Sequence, residues 1–167
     1  MTLPPNRIEA HDRRRAAVHE AGHQVMTDRL RVLRGEAEIF PNPDSSAWSG
    51  LEKKRWIGHI NVYPLVVSQN GTKKATSQTM RLVGVAGFVA EMAWSKKDKY
   101  VLVDTIYDPA AMSDSDWILT GCEPGRPTDK LIKNALDVYR LFERPHGALF
   151  KGLCAAARRL ILDARLA

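Results

Sequence analysis

Ala17-Val18-His19-Glu20-Ala21-Gly22-His23-Gln24-Val25 places two histidines four residues apart, with a glutamate directly after the first. On a helix, residues four apart project from one face, so both imidazoles can reach a single metal ion. Glu20 neighbours His19 on the same side. It can hold and deprotonate a metal-bound water without itself being a ligand. A bound Zn²⁺ lowers the pKa of that water towards roughly 7, which makes hydroxide available at neutral pH. Ala21 and Gly22 put almost no bulk into this turn and leave room for a neighbouring helix. The competing account is two histidines falling by chance on an amphipathic helix. With five histidines among 167 residues, a shuffled chain contains H-E-x-x-H in roughly 0.7% of cases. The spacing therefore favours chemistry.

The pattern extends on both sides of the motif. Over residues 8–33, Ala17, Val18, Ala21, Val25, Leu30 and Leu33 can share one helical face, with no internal proline, and Gly35 supplies an end. Residues 1–9 read as a flexible N-terminal arm, and residues 10–167 as a single domain. The run from Phe40 through Pro41-Asn42-Pro43-Asp44-Ser45 to Ser46 is a loop by its punctuation. Residues 57–67 read as extended, with Pro64 making this an edge strand, and Gln69-Asn70-Gly71-Thr72 as a turn. A second helix over 76–94 contains Gly84 and Gly87. Each glycine costs about 1 kcal/mol relative to alanine, so close packing against another element is the expected compensation.

Residues 95–112 read as a mixed loop with a strand-like run, Tyr100-Val101-Leu102-Val103. Ser113 starts a third helical segment that breaks near Gly121, Pro124 and Pro127. Two more helices are expected over 128–143 and 147–166. The fold class is mainly α, with a small β element between the first two helices.

Composition narrows the classes of function. The net charge is +6, and basic residues cluster at Arg13-Arg14-Arg15, Lys53-Lys54-Arg55, Lys73-Lys74 and Arg158-Arg159. No helix-turn-helix, finger or aromatic-basic repeat accompanies them, so they read as solvated surface rather than a nucleic-acid footprint. No apolar run approaches the roughly 20 residues a membrane span needs, and the N-terminus has no secretory h-region. Cys122 and Cys154 have no metal-type spacing and read as two buried thiols in a reduced compartment. The expectation is a cytoplasmic protein.

Two histidines need a third protein ligand and an open fourth position for hydrolytic chemistry. His59 falls on the expected strand and His146 in a proline-flanked turn, neither placed like a helical ligand. A carboxylate remains, with Glu91, Asp104, Asp108, Asp114 and Asp116 as candidates.

Three segments, in order, resemble the peptidase domain of the FtsH-type ATP-dependent zinc proteases. Residues 17–25 look like that family's H-E-A-G-H helix. Leu82-Val83-Gly84-Val85-Ala86-Gly87-Phe88-Val89-Ala90-Glu91 is similar to its glycine-containing helix ending in Ala-Glu. Met112-Ser113-Asp114-Ser115-Asp116 is similar to the turn whose last aspartate ligates zinc. The resemblance implies a compact helical metallopeptidase domain with His19, His23 and Asp116 as zinc ligands and Glu20 as catalytic base. It makes Glu91 a residue that orients a ligand histidine. Asp114 is the alternative third ligand, and Ser113 to Asp116 also reads as a capping box.

None of the 11 glycines opens a phosphate-binding G-x-x-x-x-G-K-[ST] loop. The expected activity is therefore ATP-independent hydrolysis of peptide bonds in unstructured or extended polypeptide. A separate unfoldase partner or a homo-oligomer stays open. The alternative is a zinc-stabilised interaction or regulatory module derived from a peptidase, against which the presence of Glu20 argues.

Overall fold

A computed structural model of the chain describes residues 5–43 and 55–166. Among these residues are six α-helices and two small antiparallel sheets, and all five strands lie between the first two helices. The mainly helical class with a β element in that position is what the sequence led us to expect.

Helix α1 (Pro5–Leu30) begins earlier and ends earlier than its apolar pattern indicates. Residues 5–9, expected to lie in a flexible arm, form its first turns, with Pro5 at the start where a missing N–H costs nothing. The helix stops at Leu30 because Arg31 takes a left-handed φ of 56° and turns the chain back. Val32 and Leu33, expected to be helical, fall instead in strand β1 (Val32–Arg34), drawn into a sheet by β4 (Val62–Ser68). Between them lie β2 (Glu38–Pro41), which takes up Phe40 and Pro41 from the expected loop, and β3 (Trp56–His59). Asn42 and Pro43 lie outside any strand or helix, as expected of a loop, and residues 44–46 lie outside the described residues.

The extended stretch over 57–67 is two strands in two sheets. β2 and β3 form one antiparallel pair; β1, β4 and β5 (Gly71–Lys74) form the other, with β4 in the middle. Pro64 thus does not mark an edge strand. Its carbonyl accepts from the Ala75 N–H at 2.9 Å, so by antiparallel alternation its missing N–H faces the β5 side, just beyond the last ladder pair, Leu65 with Lys74. β3, the first strand of that stretch, is an edge strand, pairing only with β2 among the described residues. Gln69 and Asn70 make the two-residue turn of the β4–β5 hairpin, closed by Gly71 at a φ of 110°.

Helix α2 (Ser77–Trp94) is the central element, capped by the Thr76 hydroxyl on the Thr79 N–H and buried at every residue from 83 to 90. A helix that is apolar all round must be enclosed. α1 crosses it on one side; α4 (Asp114–Thr120) and α5 (Asp129–Phe142) cover others. α6 (Phe150–Leu166) closes the far face of α1.

The strand-like run at Tyr100 belongs instead to helix α3 (Lys99–Thr105). The Asp98 carboxylate caps it by accepting from the Tyr100 and Val101 N–H groups, and Leu102 is buried. An aspartate cap outweighs a β-branched run this short. The cysteines depart from their expected burial, since Cys154 is exposed and Cys122 half-buried, and both thiols are free. No described helix is long and apolar enough to cross a membrane.

Candidate metal centre

The crossing of α1 and α2 is very close, and small residues permit it. A β-carbon at Gly22 would lie 2.5 Å from the Ala86 carbonyl oxygen and 2.7 Å from the Ala90 β-carbon. One at Gly87 would meet His23 Nε2 at 2.5 Å and His19 Nε2 at 2.6 Å. Gly84 makes the same allowance for α4, whose Thr120 Cγ2 would stand 2.8 Å from an added β-carbon. The two glycines that weaken α2 locally are therefore the points where the histidines and α4 approach it.

α4 carries the third group. Ser113 caps the helix, its hydroxyl accepting from the Asp116 N–H at 3.2 Å. In the first turn Asp114 points to solvent, whereas Asp116 is buried at 6% exposure. Asp116 Oδ2 lies 3.1 Å from His19 Nε2 and Asp116 Oδ1 lies 3.2 Å from His23 Nε2. The two Nε2 atoms are 3.2 Å apart. His19, His23 and Asp116 thus form one cluster that could hold a metal ion. Capping and convergence on the histidines are compatible roles for the same turn. Asp104 and Asp108 are exposed and outside the cluster, with Asp108 capping a short 3₁₀ turn at Ala110.

The outer ring nitrogens show what the inner ones need. His23 Nδ1 is 2.9 Å from the Val83 carbonyl oxygen, and His19 Nδ1 is 2.8 Å from Glu91 Oε1. A carbonyl can only accept, so His23 Nδ1 carries a proton, and a carboxylate imposes the same on His19. In neutral rings both Nε2 atoms then present lone pairs to each other and to a carboxylate. That arrangement repels itself unless a cation, either protons or a metal, sits among them.

The electrostatics follow. Burial pulls the His19 imidazole down, but hydrogen bonds and charge from Asp116 and Glu91 outweigh it and hold its pKa well above the ordinary value. Burial opposes and Asp116 raises His23 in the same way. Burial alone would raise the Asp116 carboxyl; the His23 charge and hydrogen bonds from both histidines drive it far below the usual carboxylate range.

Glu20 is buried at 6% exposure, on the next residue of α1 and facing β3. Burial raises its carboxyl, and the charges of His19, His23 and His59 pull back against that rise. It lies against Gly58, where any side chain would collide with its Cγ and carboxylate.

Two features escaped the sequence reading. Gly58 is a glycine in an ordinary strand, and only the packing of Glu20 against it makes it special. Arg15 was read as part of a solvated basic cluster; its Nη1 is 3.3 Å from Glu91 Oε1. The available signal was spacing, since residues 12, 15, 19 and 23 recur at helical intervals of three and four. No family model and no curated protein sequence matches the chain.

Proposed function

We propose that this chain is a zinc metallopeptidase of the FtsH-type peptidase class, whose bond-breaking chemistry requires no nucleotide. The observation that carries the reading is the convergence of His19, His23 and Asp116 with a buried, uncoordinated carboxylate, Glu20, alongside. Two nitrogens and an oxygen suit zinc. Ligand atoms about 2.0–2.1 Å from a tetrahedral zinc stand roughly 3.3 Å apart, close to the 3.1 and 3.2 Å separations here.

Bound zinc would act as a Lewis acid, acidifying a water and polarising the scissile carbonyl. Glu20 takes the proton from the attacking water at a carboxylate oxygen and passes it to the leaving amine nitrogen. Its burial favours this cycle, because a carboxyl raised above its ordinary value gives up and regains a proton more evenly near neutral pH. Glu91 and the Val83 carbonyl hold the two imidazoles in the tautomer with Nε2 free to bind.

Substrate placement rests on β3. The Asn42 N–H donates to the Arg55 carbonyl at 2.8 Å, so by antiparallel alternation Gly58 turns its main-chain groups away from β2. That edge runs beside Glu20, and an extended peptide can add to it as another strand. This selects unstructured polypeptide.

Elemental analysis of purified protein, paired with peptide hydrolysis by wild type and Glu20→Gln, tests the reading. About one zinc per chain is expected in both. Turnover by the variant should fall roughly 10²–10⁴-fold, the range for loss of a general base. Wild type that carries no zinc overturns the proposal. Wild type that holds zinc and cuts nothing favours the interaction-module alternative.

A further inference from the structure

The face of α1 that presents His19 and His23 continues towards the N-terminus through Arg15 and Asp12. The Arg15 guanidinium, at 21% side-chain exposure, contacts three separate elements. Nε donates to Asp12 Oδ1 at 2.7 Å on its own helix, Nη1 to Glu91 Oε1 at 3.3 Å on α2, and Nη2 to the Trp56 carbonyl at 2.9 Å on β3. The other oxygen of Asp12 accepts from the Arg55 and Trp56 N–H groups at 2.7 and 2.8 Å. Glu91 Oε1, shared with Arg15, is also the atom 2.8 Å from His19 Nδ1.

The two ligand histidines are therefore supported differently. The Nδ1 of His23 meets a main-chain carbonyl, Val83, which α2 itself holds in place. The Nδ1 of His19 meets a side chain, Glu91, whose rotamer is set by its own contacts, the Arg15 guanidinium among them. We propose that Arg15 is a positioning residue of the metal centre. It acts through Glu91 on His19, and the same fork, with Asp12, ties the first residue of β3 to that turn of α1. A planar guanidinium with five donors can serve three acceptors at once, whereas a lysine ammonium on this backbone is a single point charge. The metal ligand and the substrate-binding edge would thus be fixed to one another by one side chain. The inference rests on the metallopeptidase reading above.

Zinc affinity, measured by competition with a chromophoric chelator, tests it without recourse to activity. Arg15→Gln should weaken zinc binding about tenfold and Glu91→Ala about 10–100-fold, the range for groups that orient a ligand. The double variant should bind no more than about threefold more weakly than Glu91→Ala, because the path through Glu91 is already cut. Cobalt substitution should give a visible spectrum altered in Arg15→Gln. Arg15→Lys, the variant to use if Arg15→Gln loses its helical circular dichroism, should fall between wild type and Glu91→Ala. Wild-type affinity in Arg15→Gln or Arg15→Lys overturns the proposal, as do losses that multiply in the double variant. A wild type that binds no zinc removes the metallopeptidase reading, and this inference with it, which is a different result from an unaffected variant of a zinc-binding protein.

Discussion

Gly58 and Glu20 compete for one volume: a β-carbon on the strand residue would occupy the space of the glutamate's Cγ and carboxylate. Glu20 is thus located by a strand from a different part of the chain, and the strand is denied a side chain by Glu20. Gly58→Ala should displace the Glu20 carboxylate and cut peptide turnover by about 10²-fold, at the low end for general-base loss. Zinc content should stay at the wild-type level, since Glu20 is not in the ligand cluster. Steady-state kinetics and metal analysis on the same preparation check both halves; unchanged turnover would sink the role assigned to Glu20.

Asp114 and Asp116 occupy the same first turn of α4 and differ in their surroundings. Asp116→Ala should lose most of its zinc, leaving two histidines and more than about 100-fold weaker binding, beyond the range for groups that only orient a ligand. Asp114→Ala alters an exposed residue and should change stability by no more than about 0.5 kcal/mol, with zinc affinity retained. Chelator competition on the two variants decides. A zinc-losing Asp114→Ala would mean the third ligand is misassigned.

Protons and a metal ion would compete at the same atoms. In protein stripped of metal, His19 and His23 titrate above their ordinary value because of Asp116, with Glu91 adding to His19. A folded value above the unfolded one stabilises the stripped protein fully below about pH 6.5, and that stabilisation is lost as pH rises through the folded values. The depressed Asp116 adds stability above about pH 3.9 that is lost on further acidification. Zinc requires neutral imidazoles, so its effect runs the other way. Release on acidification should begin above the roughly pH 5–6 expected of ordinary histidines. Thermal unfolding with and without zinc is the measurement, and the zinc-induced rise in Tm should grow between about pH 6 and about pH 8. A flat increment across that interval would contradict the raised imidazoles.

Extended substrate is the expected specificity. A folded protein presents few free strands, and global opening costs on the order of 5–15 kcal/mol, so cleavage should be confined to flexible termini and loops. A denatured protein or an extended peptide should be cut while the same protein, folded, resists. Added ATP should alter neither rate, as the sequence holds no G-x-x-x-x-G-K-[ST] loop. Gel-based digestion of one substrate in both states, with and without nucleotide, reads this directly. Equal rates on folded and denatured forms would contradict the edge-strand mode of binding.

By itself the sequence determined what depends on neighbours along the chain. The four-residue spacing of His19 and His23 makes a shared helical face unavoidable once that segment is helical. Thr76, Ser113 and Thr128 start their helices because each hydroxyl reaches an N–H three residues on. Gly84 and Gly87 announced a close approach to α2 without saying by what.

Contacts between distant segments were left to the tertiary structure. Val32 and Leu33 continue an apolar helical pattern, yet pairing with β4 makes them a strand. Pro64 indicated an edge, yet pairing with β1 and β5 places its strand in the middle of a sheet. Asp114 and Asp116 are two residues apart in one turn, and the seating of α4 on Gly84 buries only the second. Arg15 looks like one of three surface arginines until Glu91 and Trp56, 76 and 41 residues away, converge on it. Periodicity and capping encode geometry within a few residues, whereas which carboxylate meets which imidazole depends on how whole helices pack.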